Sequence, residues 1–366
     1  MSDRGGATER TTKSALRTAA CELFGVEYPI VQTGMGWVAG ARLTAATSAA
    51  GALGILASAT MTLDELRTAI HAVKERTDRP FGVNLRSDQP DVDERIKLIV
   101  GEGVRVASFA QAPGERLVKQ LKDAGVVVMP TVGARRHAEK VAAWGVDAVI
   151  AQGGEGGGHT GTVPTSLLLP QVAEAVDIPV LGAGGFFDGR GLVAALAYGA
   201  AGIAMGTRFL LTQESTVPDA VKAVYLATPV TGTVVTTAID GHPQRVIRTE
   251  VIEHLAGSGR ITALPRAVRN ALEFRKLTGT SVGDLAREGL AMRKSQDLSL
   301  AQLAMAANAP MLTRAAMVDG RLDAGILPTG QNVGVIDELP TVAELVARIM
   351  EQADATLRRL EQEPST

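Results

Sequence analysis

Pro179-Val180-Leu181-Gly182-Ala183-Gly184-Gly185-Phe186 reads as a short apolar strand that runs straight into a pair of glycines. A second stretch of the same kind follows, Gly202-Ile203-Ala204-Met205-Gly206-Thr207-Arg208-Phe209. Apolar, nearly continuous runs of this length are what parallel strands buried on both faces require. Working outward, similar runs occupy residues 29–35, 54–58, 81–85, 105–110, 126–132 and 148–153, which with 179–184 and 202–209 makes eight.

The segments between these runs carry helical spacing. Thr62 stands as an N-cap before the first-turn acids Asp64 and Glu65, and Leu66, Ile70 and Val73 then share one face. Residues 115–124 and 138–145 read the same way, with Gly125 and Gly145 placed to stop a helix in the left-handed conformation. Eight β–α units predict a (β/α)8 TIM barrel within residues 21–215, of the α/β class. Residues 1–20 are polar, mixed in charge and without an apolar signal-peptide core, and are expected to be a flexible lead.

After Phe209 the rhythm changes. Residues 231–239 and 244–248 suggest two strands joined at Asp240-Gly241, a hairpin signal. Residues 216–325 are expected to form a mainly helical insertion or cap. Residues 326–366 should return to the barrel with a closing helix at 341–360.

Composition narrows the function. The 366 residues carry a net charge of −2, so no basic field points to nucleic acid or to an anionic membrane. With 7 Phe, 2 Trp and 3 Tyr, stacking platforms for bases are scarce. No long uncharged apolar run suggests a membrane span. Cys21 is the only cysteine, which excludes an internal disulfide and fits a cytoplasmic setting. No His-Glu-x-x-His, nucleophile elbow or acidic strand end supports metal, serine or glycosidase chemistry. A small molecule is the expected partner, and a homodimer is the assembly left open.

Barrel active sites lie at the C-terminal ends of strands, so strand ends carry the candidates. The first run ends Thr33-Gly34-Met35-Gly36. A dinucleotide turn (Gly34, Gly36, Ala39) would want an acid at the end of the second run, which instead closes Leu56-Ala57-Ser58. Glycine here suits close approach to a flat ring. The third run offers Asn84, both donor and acceptor. The sixth ends Gln152-Gly153-Gly154-Glu155-Gly156-Gly157-Gly158-His159-Thr160-Gly161, with six glycines in ten residues. That composition predicts a loop whose amides face a ligand, and it makes His159 the candidate proton carrier. Gly184, Gly185, Gly206 and Thr207, after strands seven and eight, form a candidate phosphate site.

Residues 29–35 (Pro-Ile-Val-Gln-Thr-Gly-Met), 82–84 (Gly-Val-Asn), 152–159, 182–185 (Gly-Ala-Gly-Gly) and 205–209 (Met-Gly-Thr-Arg-Phe) together resemble the nitronate monooxygenase family, formerly called 2-nitropropane dioxygenase. The family is similar to FMN-dependent enoyl-ACP reductases. The likeness covers about residues 22–212 and resumes at Gly330-Gln331. It implies noncovalent FMN, with phosphate on Gly184, Gly185, Gly206 and Thr207, and with Gly34 and Met35 against the isoalloxazine. Asn84, Gln152 and Gly157 would contact the ring edge or ribityl chain. Thr131, Gly158, Gly182 and Gln331 complete the expected cofactor-contacting set. His159 matches the family's active-site histidine beside flavin N5. The family usually has Glu-Ala-Gly-Gly-His where this chain has Glu155-Gly156-Gly157-Gly158-His159. The long insertion, Thr233-Val234-Val235-Thr236-Thr237 and Arg248-Thr249-Glu250 are most similar to an actinobacterial branch acting in steroid CD-ring breakdown on a bicyclic CoA thioester. The resemblance therefore implies an oxidoreductase of bulky CoA thioesters, with nitronate oxidation and enoyl-thioester reduction as its alternatives. Arg135, Arg136 or Lys140 would meet CoA phosphates.

Overall fold

In a computed structural model, which describes residues 15–257 and 308–362, eight parallel strands close into a barrel. They are β1 (Ile30–Gln32), β2 (Leu53–Ala57), β3 (Phe81–Leu85), β4 (Val106–Phe109), β5 (Val127–Val132), β6 (Val149–Gln152), β8 (Val180–Ala183) and β9 (Gly202–Met205), and β9 pairs with β1 to complete the ring. The chain is thus the TIM barrel that the eight runs predict. One boundary differs. The eighth run stops at Met205, and Thr207–Leu210 turns into a short helix after Gly206. An apolar run of that length fits strand and helix equally, and only the glycine marks the switch.

The alternation of strand side chains sorts the barrel into layers. Val31, Leu53, Ile55, Val106, Val127, Met129, Ala148, Ile150, Leu181, Ala183 and Ala204 fill the interior as one apolar cluster. Ala20 and Phe24 of helix α1 (Ala19–Phe24) join it from below. Thr18 Oγ1 donates to Ala201 O, and Arg105 donates to Leu23 O, so α1 closes the N-terminal end of the barrel. The flexible lead expected over residues 1–20 is therefore corrected from residue 15 onward. Ala20 and Phe24 are buried because the open end of the barrel offers apolar surface to cover, and Leu16 is buried in the surrounding core. Residues 1–14 lie outside the described residues.

Outside the ring, helices cover the other face of each strand. Helix α3 (Leu63–Lys74) begins with a full capping box between Thr62 and Glu65, and it buries Leu66, Ile70 and Val73, as their spacing predicts. Gly125 and Gly145 both have positive φ at the expected helix stops. The closing helix α13 (Val342–Glu361) starts from a second capping box, Thr341 with Glu344. It lies on α8 (Gly189–Ala197) so closely that a Cβ on Gly189 would stand 2.3 Å from Ile349 O.

The hairpin forms as read: β10 (Thr233–Thr236) pairs antiparallel with β11 (Gln244–Ile247). What the sequence did not suggest is a third strand. Residues Gly158–His159 of the glycine-rich loop form β7, antiparallel to β11. Ile239, Val246, Ile252, Leu312 and Ile326 make a small separate core beneath this sheet. It joins α11 (Glu250–Gly257) and α12 (Asn308–Met317). The remainder of the expected helical cap, residues 258–307, lies outside the described residues.

Candidate active site

Above the last apolar layer of the barrel the same alternation turns Asn84, Ser108, Thr131 and Gln152 toward the mouth. Asn84 Nδ2 donates to Ser108 Oγ at 3.0 Å, which fixes the amide across neighbouring strands. A Cβ on Gly34 would come within 2.4 Å of Asn84 Cβ, so glycine there is demanded by a β3 side chain of the protein itself. Met35 follows, with its sulfur 3.3 Å from where a Gly206 Cβ would stand. The turns after β1, β3 and β9 thus meet at one place.

The turns after β8 and β9 present bare amides. Gly184 and Gly185 both have positive φ, at 97° and 84°. Among the described residues, no acceptor meets the backbone N–H of Gly184, Gly185, Gly206 or Thr207. Four unmet donors at the ends of two adjacent strands are the donor set a phosphate group takes, and side chains on Gly184 or Gly206 would crowd it. A Cβ on Gly184 would lie 2.9 Å from Thr165 Oγ1 and 3.0 Å from Gly153 O. The Thr207 hydroxyl accepts from Gly330 N at 2.8 Å and lies 3.4 Å from Thr329 Oγ1, so it is held where the 329–330 segment meets the turn after β9. These residues fit a phosphorylated cofactor. The missing side chain of Gly182 faces Leu169 and Phe186, at 2.7 and 2.9 Å from a built Cβ, so the lack of a Cβ there serves helix–strand packing on the outside of the barrel.

The glycine-rich loop is held from several sides. Gln152 Nε2 donates to His159 O at 2.8 Å, so this side chain holds the loop. Glu155 accepts from Thr165 N and Thr165 Oγ1, at 2.9 and 2.7 Å, and its carbonyl accepts from Gln331 N at 2.9 Å. Gly157 abuts the 329–330 backbone, where a Cβ would come within 2.4 Å of Thr329 C. Gly158 takes a left-handed φ of 65°, which any side chain would resist. Arg245 of β11 donates to Gly154 O and to Thr233 Oγ1, both at 2.9 Å. Burial pushes the Arg245 guanidinium below its usual value, and Glu155 acts against that.

His159 emerges from this scaffold with its side chain 58% exposed, and its Nε2 lies 2.7 Å from Asp240 Oδ2. Asp240 is buried at the hairpin turn, where Oδ2 also accepts from Gln244 Nε2 at 2.5 Å and Oδ1 accepts from His242 N at 3.1 Å. Burial alone would raise the Asp240 carboxyl. The hydrogen bond and charge of His159, with the amide and charge of His242, outweigh it and leave the carboxyl below its ordinary value. The His242 ring stands edge-on to His159, with centroids 6.1 Å apart.

Asp240, Gln244, Glu155 and Arg245 were not among the sequence candidates. Asp240 was visible only as half of a turn signal. Arg135 and Lys140, read as phosphate contacts, are otherwise engaged. Arg135 pairs with Glu139 at 2.7 Å, and Lys140 lies 5.0 Å from the centre of the Trp144 ring.

A closed parallel barrel with unbonded glycine-turn amides and a carboxylate-held imidazole at its strand ends has the architecture of a barrel enzyme. Residues 17–352 match the family model described as nitronate monooxygenase, and the chain belongs to that family of oxidoreductases. Over 338 residues it is 59% identical to a Mycobacterium tuberculosis protein named (3aS,4S,5R,7aS)-5-hydroxy-7a-methyl-1-oxo-octahydro-1H-indene-4-carboxyl-CoA dehydrogenase, covering 92% of this chain and 95% of that one. Among solved structures it is similar to FabK from Thermotoga maritima (35% identity, TM-score 0.75, 94% of this chain and 98% of that one). It is also similar to a nitroalkane oxidase from Streptomyces ansochromogenes (29% identity, TM-score 0.72, 94% of this chain and all of that one). Among the described residues no helix is long and apolar enough to cross a membrane.

Proposed function

We propose that the chain is an FMN-dependent oxidoreductase acting on a bulky bicyclic acyl-CoA, with His159 as the proton acceptor or donor. The observation that carries the cofactor is the set of unmet amides at Gly184, Gly185, Gly206 and Thr207, which fits the FMN phosphate. The substrate class rests on the named activity of the relative at 59% identity. Bound FMN would supply the two-electron acceptor or donor that no side chain provides. Gly34 and Met35, beside Asn84, would lie along the ring. Thr131 stands on the same layer, and Gln331 sits next to Gly330 where that segment meets Thr207. Gly157 and Gly158 would shape the loop around the cofactor rather than reach it with a side chain.

The chain's own task is orientation and proton handling. The imidazole must sit within hydrogen-bond reach of the proton it takes, with the reacting carbon near the flavin. Purified protein should be yellow, release FMN on denaturation, and change its visible spectrum on anaerobic mixing with the indene-carboxyl-CoA thioester. A colourless protein that cannot be reconstituted with FMN would overturn the cofactor. A spectrum that no CoA thioester perturbs, but that propionate nitronate bleaches, would replace the substrate with a nitronate, the reading favoured by the family description and the nitroalkane oxidase likeness.

A further inference from the structure

We infer that Asp240 is a positioning residue for His159, fixing the imidazole as the Nε2–H tautomer so that Nδ1 is the nitrogen that exchanges protons at the active site. The inference rests on the proposed role of His159 and adds a residue from outside the barrel to it.

Three donors converge on one carboxylate. His242 N meets Oδ1, while Gln244 Nε2 and His159 Nε2 both meet Oδ2. An ionised carboxylate only accepts, so the nitrogen of His159 facing Oδ2 must carry the proton. The neutral ring then holds its lone pair on Nδ1, the nitrogen that Asp240 does not engage. When Nδ1 takes a proton, the electron pair of the broken substrate bond stays with the substrate, and the other ring proton remains on Nε2, hydrogen-bonded to Asp240 Oδ2. The carboxylate does not change protonation state; it holds the ring and faces the positive charge that forms.

A mere turn cap would need only the Oδ1 contact to His242 N, which is the ordinary Asx arrangement. Here the second oxygen is committed as well. The backbone also delivers His159 to it, since the β7–β11 pairing sets His159 directly opposite Gln244. Asp240 is 6% exposed, so water competes little for the contact. Asparagine has the same shape but cannot accept from all three donors. With its oxygen toward His242 N, its amide group faces Gln244 Nε2 and His159 Nε2, which forces His159 to accept and moves its proton to Nδ1.

The tautomer can be read without turnover. In 15N-histidine-labelled protein, long-range 1H–15N spectra should show neutral His159 protonated at Nε2. In Asp240→Asn the ring should switch to Nδ1–H, and kcat should fall about 100-fold, within the roughly 10²–10⁴-fold that a positioned acid–base group contributes. KM should stay within about twofold, and FMN should remain bound. An Nδ1–H tautomer in the unmutated protein would overturn the assignment even if the variant failed to fold. So would an Asp240→Asn enzyme with unchanged tautomer and full kcat beside an inactive His159→Ala enzyme. Full turnover in His159→Ala would instead remove the proposed function itself.

Discussion

The Trp37 indole N–H donates to Pro310 O at 3.0 Å, tying the turn after β1 to helix α12 of the inserted region. Trp37 has a φ of 66°, the one positive value among the described residues other than glycine. A left-handed conformation costs a bulky residue roughly 1–2 kcal/mol. The tie to Pro310 and the Arg314 guanidinium, 5.7 Å from the ring centre, offset that cost. Trp37 stands three residues after Gly34 on the turn proposed to face the flavin, so the insertion and the cofactor turn are coupled through one side chain. Trp37→Ala keeps the strained backbone and loses both contacts, whereas Trp37→Gly loses the contacts and relieves the strain. Urea unfolding should therefore rank wild type above Trp37→Gly and Trp37→Gly above Trp37→Ala, the last two separated by about 1 kcal/mol. Equal midpoints for the two variants would contradict strain at this position.

Gly184 tests the proposed phosphate cradle. A methyl there meets Thr165 Oγ1 at 2.9 Å and Gly153 O at 3.0 Å, on a backbone with φ of 97°. At Gly185 the nearest atom would be Glu155 Cβ at 3.7 Å, so only the φ of 84° resists substitution. Gly184→Ala should bind FMN at least tenfold more weakly than Gly185→Ala, as measured by flavin fluorescence on titrating apoprotein. The reverse order would show that space at the turn after β8 does not govern the cradle.

The sequence was most informative where local chemistry decides the structure. The barrel was legible because each strand is a short apolar run, six of the eight closed by glycine, asparagine or glutamine, and because Thr62 and Thr341 announce their helices. His159, Asn84 and the paired glycines were legible as strand-end residues. Asp240 was not, because it lies 81 residues beyond His159 and reaches it through a backbone pairing that no side-chain pattern encodes. Gly182 has a packing reason that its sequence context does not reveal, since a Cβ there would meet Leu169 and Phe186. The departure at Gly156 from the family's usual alanine has a local reason. A Cβ there would come within 2.7 Å of Gln152 Nε2, the group that holds His159 O.

Close helix packing fixes the end of the chain. Gly189 lies under α13, where a methyl would meet Ile349 O at 2.3 Å and Ala353 N at 2.4 Å. Neither backbone atom can move without shifting the helix. Gly189→Ala should destabilise by about 1–3 kcal/mol, the usual range for overpacking, and read as a lower urea midpoint. The same change at Gly101, where a built Cβ meets nothing within 4 Å, should leave the protein as stable or slightly more so. Equal losses at both sites would show that contact with α13 does not decide the cost at Gly189.

The His159–Asp240 pair also carries a pH signature in stability. The Asp240 carboxyl is held below its ordinary value in the folded chain and returns to about 3.9 on unfolding. Near and below that value the unfolded chain binds the extra proton first, so stability rises with pH through this range. The contribution is complete above the unfolded value and is lost as pH falls through the lower, folded one. Asp240→Asn has no such titration. The gap in urea midpoint between wild type and Asp240→Asn should be widest at pH 6–7 and close progressively below about pH 4. The other carboxylates are common to both proteins and cancel in the difference. A gap that stayed constant from pH 7 to pH 3 would mean that the asparagine variant loses packing alone, and that the charge on Asp240 contributes nothing to holding the hairpin against the glycine-rich loop.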